Sequence, residues 1–145
     1  MFSSSAHSRQ LWPLTDVGPR IRAESILRRC RHLYPEIGFD VLWRSESVNA
    51  QAYRLGARRY VRIYGGLARH RALGPEGLAL AIAHEVGHHQ AGPPFKSQSA
   101  WMSSEERADQ WARQTGFPRI CGGRRVRGLL AVALGQLSEI AHGLP

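Results

Sequence analysis

Two histidines and a glutamate in the middle of the chain have the spacing of a metal-binding helix. His84, Glu85 and His88 form the pattern H-E-x-x-H. On a helix, side chains four residues apart lie on one face about 5–6 Å from each other, so one metal ion can contact both imidazoles. Glu85 then lies beside the ion, where it can take a proton from a water molecule.

The residues around this pattern are apolar. From Leu78 to Ala83 every side chain is apolar, which is typical of a helix that is buried on all sides. Buried imidazole and carboxylate groups need partners, because leaving them unpaired costs free energy. A zinc ion would satisfy all three groups. The pattern also arises by chance in roughly 2% of chains of this composition, a known risk of short motifs, so a third ligand becomes the decisive question.

A glutamate further along the chain is the candidate third ligand. Catalytic zinc sites commonly have three protein ligands, and a carboxylate often joins two histidines. Glu105 begins a predicted helix on which Ala108 and Asp109 share its face. Asp109 is placed to accept a hydrogen bond from a ligand imidazole and fix its orientation. The alternative for Glu105 is an exposed acid that interacts favourably with the helix dipole.

Length and composition restrict the class of protein. A chain of 145 residues suits one domain, and 43% hydrophobic with 21% charged residues is ordinary for a globular protein. The net charge is +9, and all but one of the 20 basic residues are arginine, Lys96 being the exception. We find neither the apolar run of a signal peptide nor a transmembrane segment, which predicts a soluble, cytoplasmic protein.

The elements that must position these residues predict an α+β fold. We expect a small antiparallel or mixed sheet of about three strands packed on the buried metal-motif helix, with two or three further helices. Residues 1–18 are predicted to form a flexible N-terminal arm, and residues 19–145 a single domain. The predicted helices are 19–34, about 75–91, 103–115 and 126–141; the predicted strands are 39–43, 48–55 and 59–64, with a serine-rich loop before residue 103.

The order of these motifs resembles the gluzincin zinc peptidases, and among them the family of HtpX and the CaaX prenyl proteases. The resemblance covers residues 48–112 and is carried by the N-A-x-A strand at 49–52, the strand at 60–63, the Gly-Leu turn at 66–67, H-E-x-x-H at 84–88 and E-x-x-A-D at 105–109. The transmembrane helices usual in that family have no counterpart here.

The resemblance implies a minimal zinc metalloendopeptidase, active or latent. Zinc would be bound by His84, His88 and Glu105, with Glu85 as general base. Asp109 would accept a hydrogen bond from a ligand imidazole. It also implies an edge strand along which a substrate peptide or protein segment lies extended, made of Arg59, Tyr60, Val61, Arg62, Ile63 and Tyr64. No residue is assigned to stabilise the oxyanion; the candidates are Tyr64, His70, His142 and several arginines.

Two other functions remain open. A regulatory metallopeptidase of the ImmA/IrrE type also combines H-E-x-x-H with a later glutamate, but this sequence has no recognisable helix-turn-helix. A non-catalytic basic module, with a structural zinc or none, would use arginines as an anionic-ligand patch. Those arginines are at positions 58, 59, 69, 71, 124, 125 and 127. No nucleic-acid fold signature accompanies them, so a nucleic-acid partner is not expected.

Overall fold

The computed structural model describes residues 4–6, 8–123 and 125–143. The fold class is α+β, with a three-stranded mixed sheet beside a set of helices, and this confirms the prediction. The helices are α1 (Val17–Leu33), α2 (Gly65–Ala68), α3 (Pro75–Gln90), α4 (Glu105–Trp111), α5 (Phe117–Cys121) and α6 (Val126–Gly143). The strands are β1 (Ser4–Ser5), β2 (Ile37–Leu42), β3 (Ser47–Val48), β4 (Ala50–Leu55), β5 (Arg58–Tyr64), β6 (Phe95–Lys96) and β7 (Ser99–Ser103).

The three-stranded sheet has the order β2-β5-β4, with β2 parallel and β4 antiparallel to β5. The prediction that the strand from Arg59 to Tyr64 is an open edge is therefore wrong, because β5 is paired on both sides. Val61 and Ile63 are buried while their neighbours in β5 are not, as the alternating pattern predicts. Alternation shows which side chains of a strand are buried but not which strands lie beside it, and the outer strands of this sheet are β2 and β4.

The metal-motif helix α3 forms the centre of the molecule. Every residue from Gly77 to His89 is buried, in agreement with the apolar sequence around the motif. The sheet packs against α3 through β4 and β5, and α4 and α6 pack against other faces of it. Pro75 at the start of the helix and Glu76 in its first turn suit these positions, because proline fits the first turn and an acid complements the helix dipole.

The described part of the N-terminal segment contacts the rest of the domain. Ser4–Ser5 pair with β3, and Leu11 is buried and forms a bridge with His70. Helix α1 begins at Val17, two residues before the predicted start, with Asp16 as its N-cap. Within the predicted arm of residues 1–18, Ala6, Leu11 and Trp12 contact the body, residues 13–16 are exposed and residues 17–18 belong to α1. Residues 1–3 and 7 lie outside the described residues.

The region after α3 differs most from the prediction. The serine-rich stretch forms a hairpin of β6 and β7 instead of a loop. Helix α4 does not end near Thr115; it continues through a π-helical turn, Ala112–Gly116, into α5. Pro118 lies in the first turn of α5, directly after the π-helical turn. No helix in the described part of the chain is long and apolar enough to cross a bilayer.

Candidate metal centre

Three side chains from two helices converge at the surface of α3. The rings of His84 and His88 are 4.8 Å apart between centroids and nearly perpendicular, and both residues are buried. Glu105, the first residue of α4, lies with Oε2 2.8 Å from Nε2 of His84 and Oε1 3.4 Å from Nε2 of His88. The three predicted ligands are therefore close enough together to hold one metal ion.

Both imidazole rings are oriented by hydrogen bonds on their far sides. Nδ1 of His84 donates to the carboxylate of Asp109 at 2.6 Å, the contact predicted for this residue. Nδ1 of His88 donates to the backbone carbonyl of Ser103 at 2.7 Å. Because Nδ1 carries the proton in each neutral ring, each Nε2 presents a lone pair. Both lone pairs are directed at Glu105.

This arrangement fits a bound cation. Two imidazole lone pairs and a carboxylate repel one another at these distances unless a positive charge lies between them. Burial alone would lower the pKa of His84, but Asp109, Glu85 and Glu105 outweigh it and raise that pKa. For Glu105, burial opposes the effects of Lys96 and the two histidines, which lower its pKa to about 2. Two histidines and a carboxylate form a donor set that zinc commonly occupies.

Glu85 lies beside the three predicted ligands, and only one of its two carboxylate oxygens accepts a hydrogen bond from the described residues. Its Oε2 accepts a hydrogen bond from the N–H of Ala52 in β4 at 2.9 Å. Its Oε1 is buried and has no hydrogen-bond partner among the described residues. Burial raises the pKa of Glu85 to about 7, although the nearby His84 lowers it. A carboxylate with a pKa near neutrality is suited to accept and return a proton.

A cleft of about 240 Å³, here called the metal cleft, opens above these residues. It is bounded by β4 on one side and by the β6–β7 hairpin on the other. Its lining residues are Asn49, Ala50, Gln51, Ala52, Glu85, His88, Lys96, Met102 and Glu105. A wider groove of about 590 Å³ along the hairpin shares Lys96, Met102 and Glu105 with it. The metal cleft is therefore open to solvent along the hairpin.

Sequence reasoning missed two contributors to this site. The carbonyl of Ser103 belongs to the backbone, and no side-chain pattern marks it. Lys96 lines the metal cleft with its ammonium 2.8 Å from Oε1 of Glu105. The one available signal was that Lys96 is the single lysine among 20 basic residues.

Tyr64, His70 and His142, the other candidates from the sequence, are not among the residues that line the metal cleft. The hydroxyl of Tyr64 donates to the side chain of Gln51, Nδ1 of His70 accepts from the N–H of Ala72, and His142 bonds to Ser138. Of the arginines proposed as an anionic-ligand patch, Arg69 is buried.

The guanidinium of Arg69 donates to the backbone carbonyls of Trp12, Trp43 and Ser45. Arg69 therefore supports the fold and is not open to a ligand. Arg124 lies outside the described residues.

No protein-family model, curated protein or solved structure matches this chain.

Proposed function

We propose that this protein is a zinc-dependent peptidase that hydrolyses peptide bonds within unstructured segments of proteins. One observation carries the proposal. The Nδ1 atoms of His84 and His88 are each held by an acceptor, so both Nε2 atoms face Glu105. This arrangement suits a single ion bound by three protein ligands, with further positions left for water and substrate.

The residues around the ligands fit the needs of peptide hydrolysis. Zinc, when bound, supplies Lewis-acid chemistry, making a water more acidic and a carbonyl more electrophilic. Glu85 takes the proton of the attacking water on its free oxygen and later gives it to the leaving amine. The N–H of Ala52 holds the other oxygen of Glu85 in place throughout. Asp109 and the carbonyl of Ser103 keep the two rings in their orientations.

The substrate segment lies along β4, the outer strand of the sheet that borders the metal cleft. In an antiparallel pair, alternate residues direct their backbone groups away from the partner strand. The N–H of Ala52 is directed in this way, towards Glu85, so the free edge of β4 borders the metal cleft. An extended peptide can pair with such an edge whatever its side chains are. The role assigned to β5 from the sequence thus passes to β4.

Substitution of the general base tests this function. Glu85→Gln keeps the size of the side chain and an oxygen for the N–H of Ala52, so the fold and the three ligands should persist. We expect the variant to hold as much zinc as wild type while cleavage of an unfolded protein falls by at least about 10²-fold. His84→Ala, by contrast, should lose both zinc and cleavage. A Glu85→Gln variant that cleaves at the wild-type rate would rule out the mechanism.

A further inference from the structure

Lys96 brings a positive charge into the metal cleft. It lies in β6, and its Nζ donates to Oε1 of Glu105 at 2.8 Å. Its side chain is 36% exposed, so it is neither buried nor free in solvent. A lysine ammonium has three donors on a flexible stem. The bond to Glu105 occupies one donor and leaves two for another group in the metal cleft.

This position would be unfavourable if the only task of Lys96 were to help bind a metal. A cation next to a divalent ion repels it, and Asp109 and the carbonyl of Ser103 already orient the two histidines. Glu85 and Glu105 line the metal cleft, whereas Asp109 lies behind His84. Lys96 places its positive charge beside Glu105, on the side of the metal cleft where a substrate oxygen must become negative.

No other cation among the described residues is placed to stabilise that negative charge. Among the described residues that line the metal cleft, Lys96 carries the one positively charged side chain. The side chains of Asn49 and Gln51 are polar but neutral. Tyr64, His70 and His142 have other partners and do not line the metal cleft.

We propose that Lys96 is a catalytic residue whose ammonium donates a hydrogen bond to the carbonyl oxygen of the scissile peptide. Water adds to the carbonyl carbon and Glu85 takes its proton, so the pair of electrons of the carbonyl double bond moves to that oxygen. Lys96 stabilises the resulting negative charge from the hairpin side of the metal cleft. When the carbon–nitrogen bond breaks, the electron pair returns from the oxygen and the amine takes the proton from Glu85. The assignment rests on the proposed function.

Lys96→Met, which keeps the length of the side chain and removes its charge, tests the assignment. We expect kcat for a quenched fluorescent peptide to fall by about 10²–10³-fold, the usual loss for one oxyanion donor, with little change in KM. Zinc affinity, measured by competition with a chelator, should be unchanged or higher because a repulsive charge is gone. Lys96→Arg should restore part of kcat. Arg28→Met removes an exposed cation from α1 and should behave like wild type.

The possible outcomes separate this assignment from the proposed function. If wild type shows zinc-dependent cleavage and Lys96→Met has the same kcat, the assignment fails and the function stands. If Lys96→Met loses zinc affinity in proportion to activity, Lys96 only positions Glu105, and its catalytic role is again excluded. If wild type shows no zinc-dependent cleavage, the function itself fails, and this is known before any Lys96 variant is measured.

Discussion

Gly87 of α3 lies directly against Ala108 of α4. A Cβ atom at position 87 would be 2.8 Å from the carbonyl oxygen of Ala108 and 3.1 Å from its Cα. Ala108 itself is completely buried. The two helix backbones are therefore as close as their atoms permit. Gly87 precedes His88, and Ala108 is one turn after Glu105, so this contact determines the distance between Glu105 and the two histidines.

Gly87→Ala should disturb the metal centre through the backbone. The added methyl group must push α4 away, because it meets backbone atoms and not a movable side chain. Overpacking of this kind typically costs about 1–3 kcal/mol, against a gain of up to about 1 kcal/mol from helix propensity. We expect a lower free energy of unfolding in urea and weaker zinc binding in a chelator competition.

Gly135→Ala is the matched control for this substitution. Gly135 is in α6, and a Cβ there would meet nothing within 4 Å. The same chemical change should therefore raise the free energy of unfolding by about 0.5–1 kcal/mol through helix propensity alone. Unchanged zinc affinity in Gly87→Ala would show that the close contact does not position Glu105.

Asp109 should affect metal affinity without being a ligand. Asp109→Asn keeps the shape of the side chain but removes the charge that pairs with Nδ1 of His84. Partners of ligand histidines typically contribute 10–100-fold to metal affinity, so we expect a loss of about that size in chelator competition. Glu106→Gln, which removes an exposed charge from the same helix, should change zinc affinity much less. Equal losses of zinc affinity in the two variants would show that the overall charge of α4 matters, and not the hydrogen bond to His84.

His89 should make the metal-free protein less stable in mild acid. Its Nε2–H donates to the carbonyl of Tyr60 and its ring stacks on Trp101, and burial lowers its pKa to about 4. An unfolded histidine has a pKa near 6.5. Between these values the unfolded chain binds a proton that the folded chain does not, so stability is lost as the pH falls. From pH 7 to pH 5 the loss due to His89 is on the order of 2 kcal/mol.

Urea unfolding at both pH values, in the presence of a chelator, measures this effect. His89→Phe keeps a ring that can stack on Trp101 but cannot take up a proton. We expect the variant to be less stable than wild type at pH 7 and to lose less stability on acidification. Identical pH dependence in the two proteins would show that His89 titrates alike in both states.

The parts of the site that depend on local pattern could be predicted from the sequence. His84 and His88 share a face of α3 because of helical periodicity alone, and the apolar run before them predicts their burial. Glu105 and Asp109 follow from the start of a second helix and its own periodicity. The small side chain of Ala108 on that face allows the two helices to approach closely, and the structure places Gly87 against it.

The remaining parts depend on long-range pairing, which local patterns do not encode. The alternation in β5 shows which side chains are buried, yet the central place of β5 results from parallel pairing with β2. The hairpin that carries Lys96 is short, and Ala100, Trp101 and Met102 follow one another in β7, so no alternation of apolar and polar residues marks it. Gly116 lies inside the continuous helix against Ala83 of α3, a long-range contact that local sequence does not predict.

Zinc content together with chelator-sensitive cleavage tests the central claim most directly. The purified protein should hold about one zinc per chain, cleave an unfolded protein, lose activity with a chelator and regain it with zinc. Glu105→Ala, which removes the third ligand, should bind zinc far more weakly and be inactive at the same total zinc. If wild type neither retains zinc nor cleaves after zinc is added, or if cleavage persists in the chelator, the metallopeptidase account is contradicted.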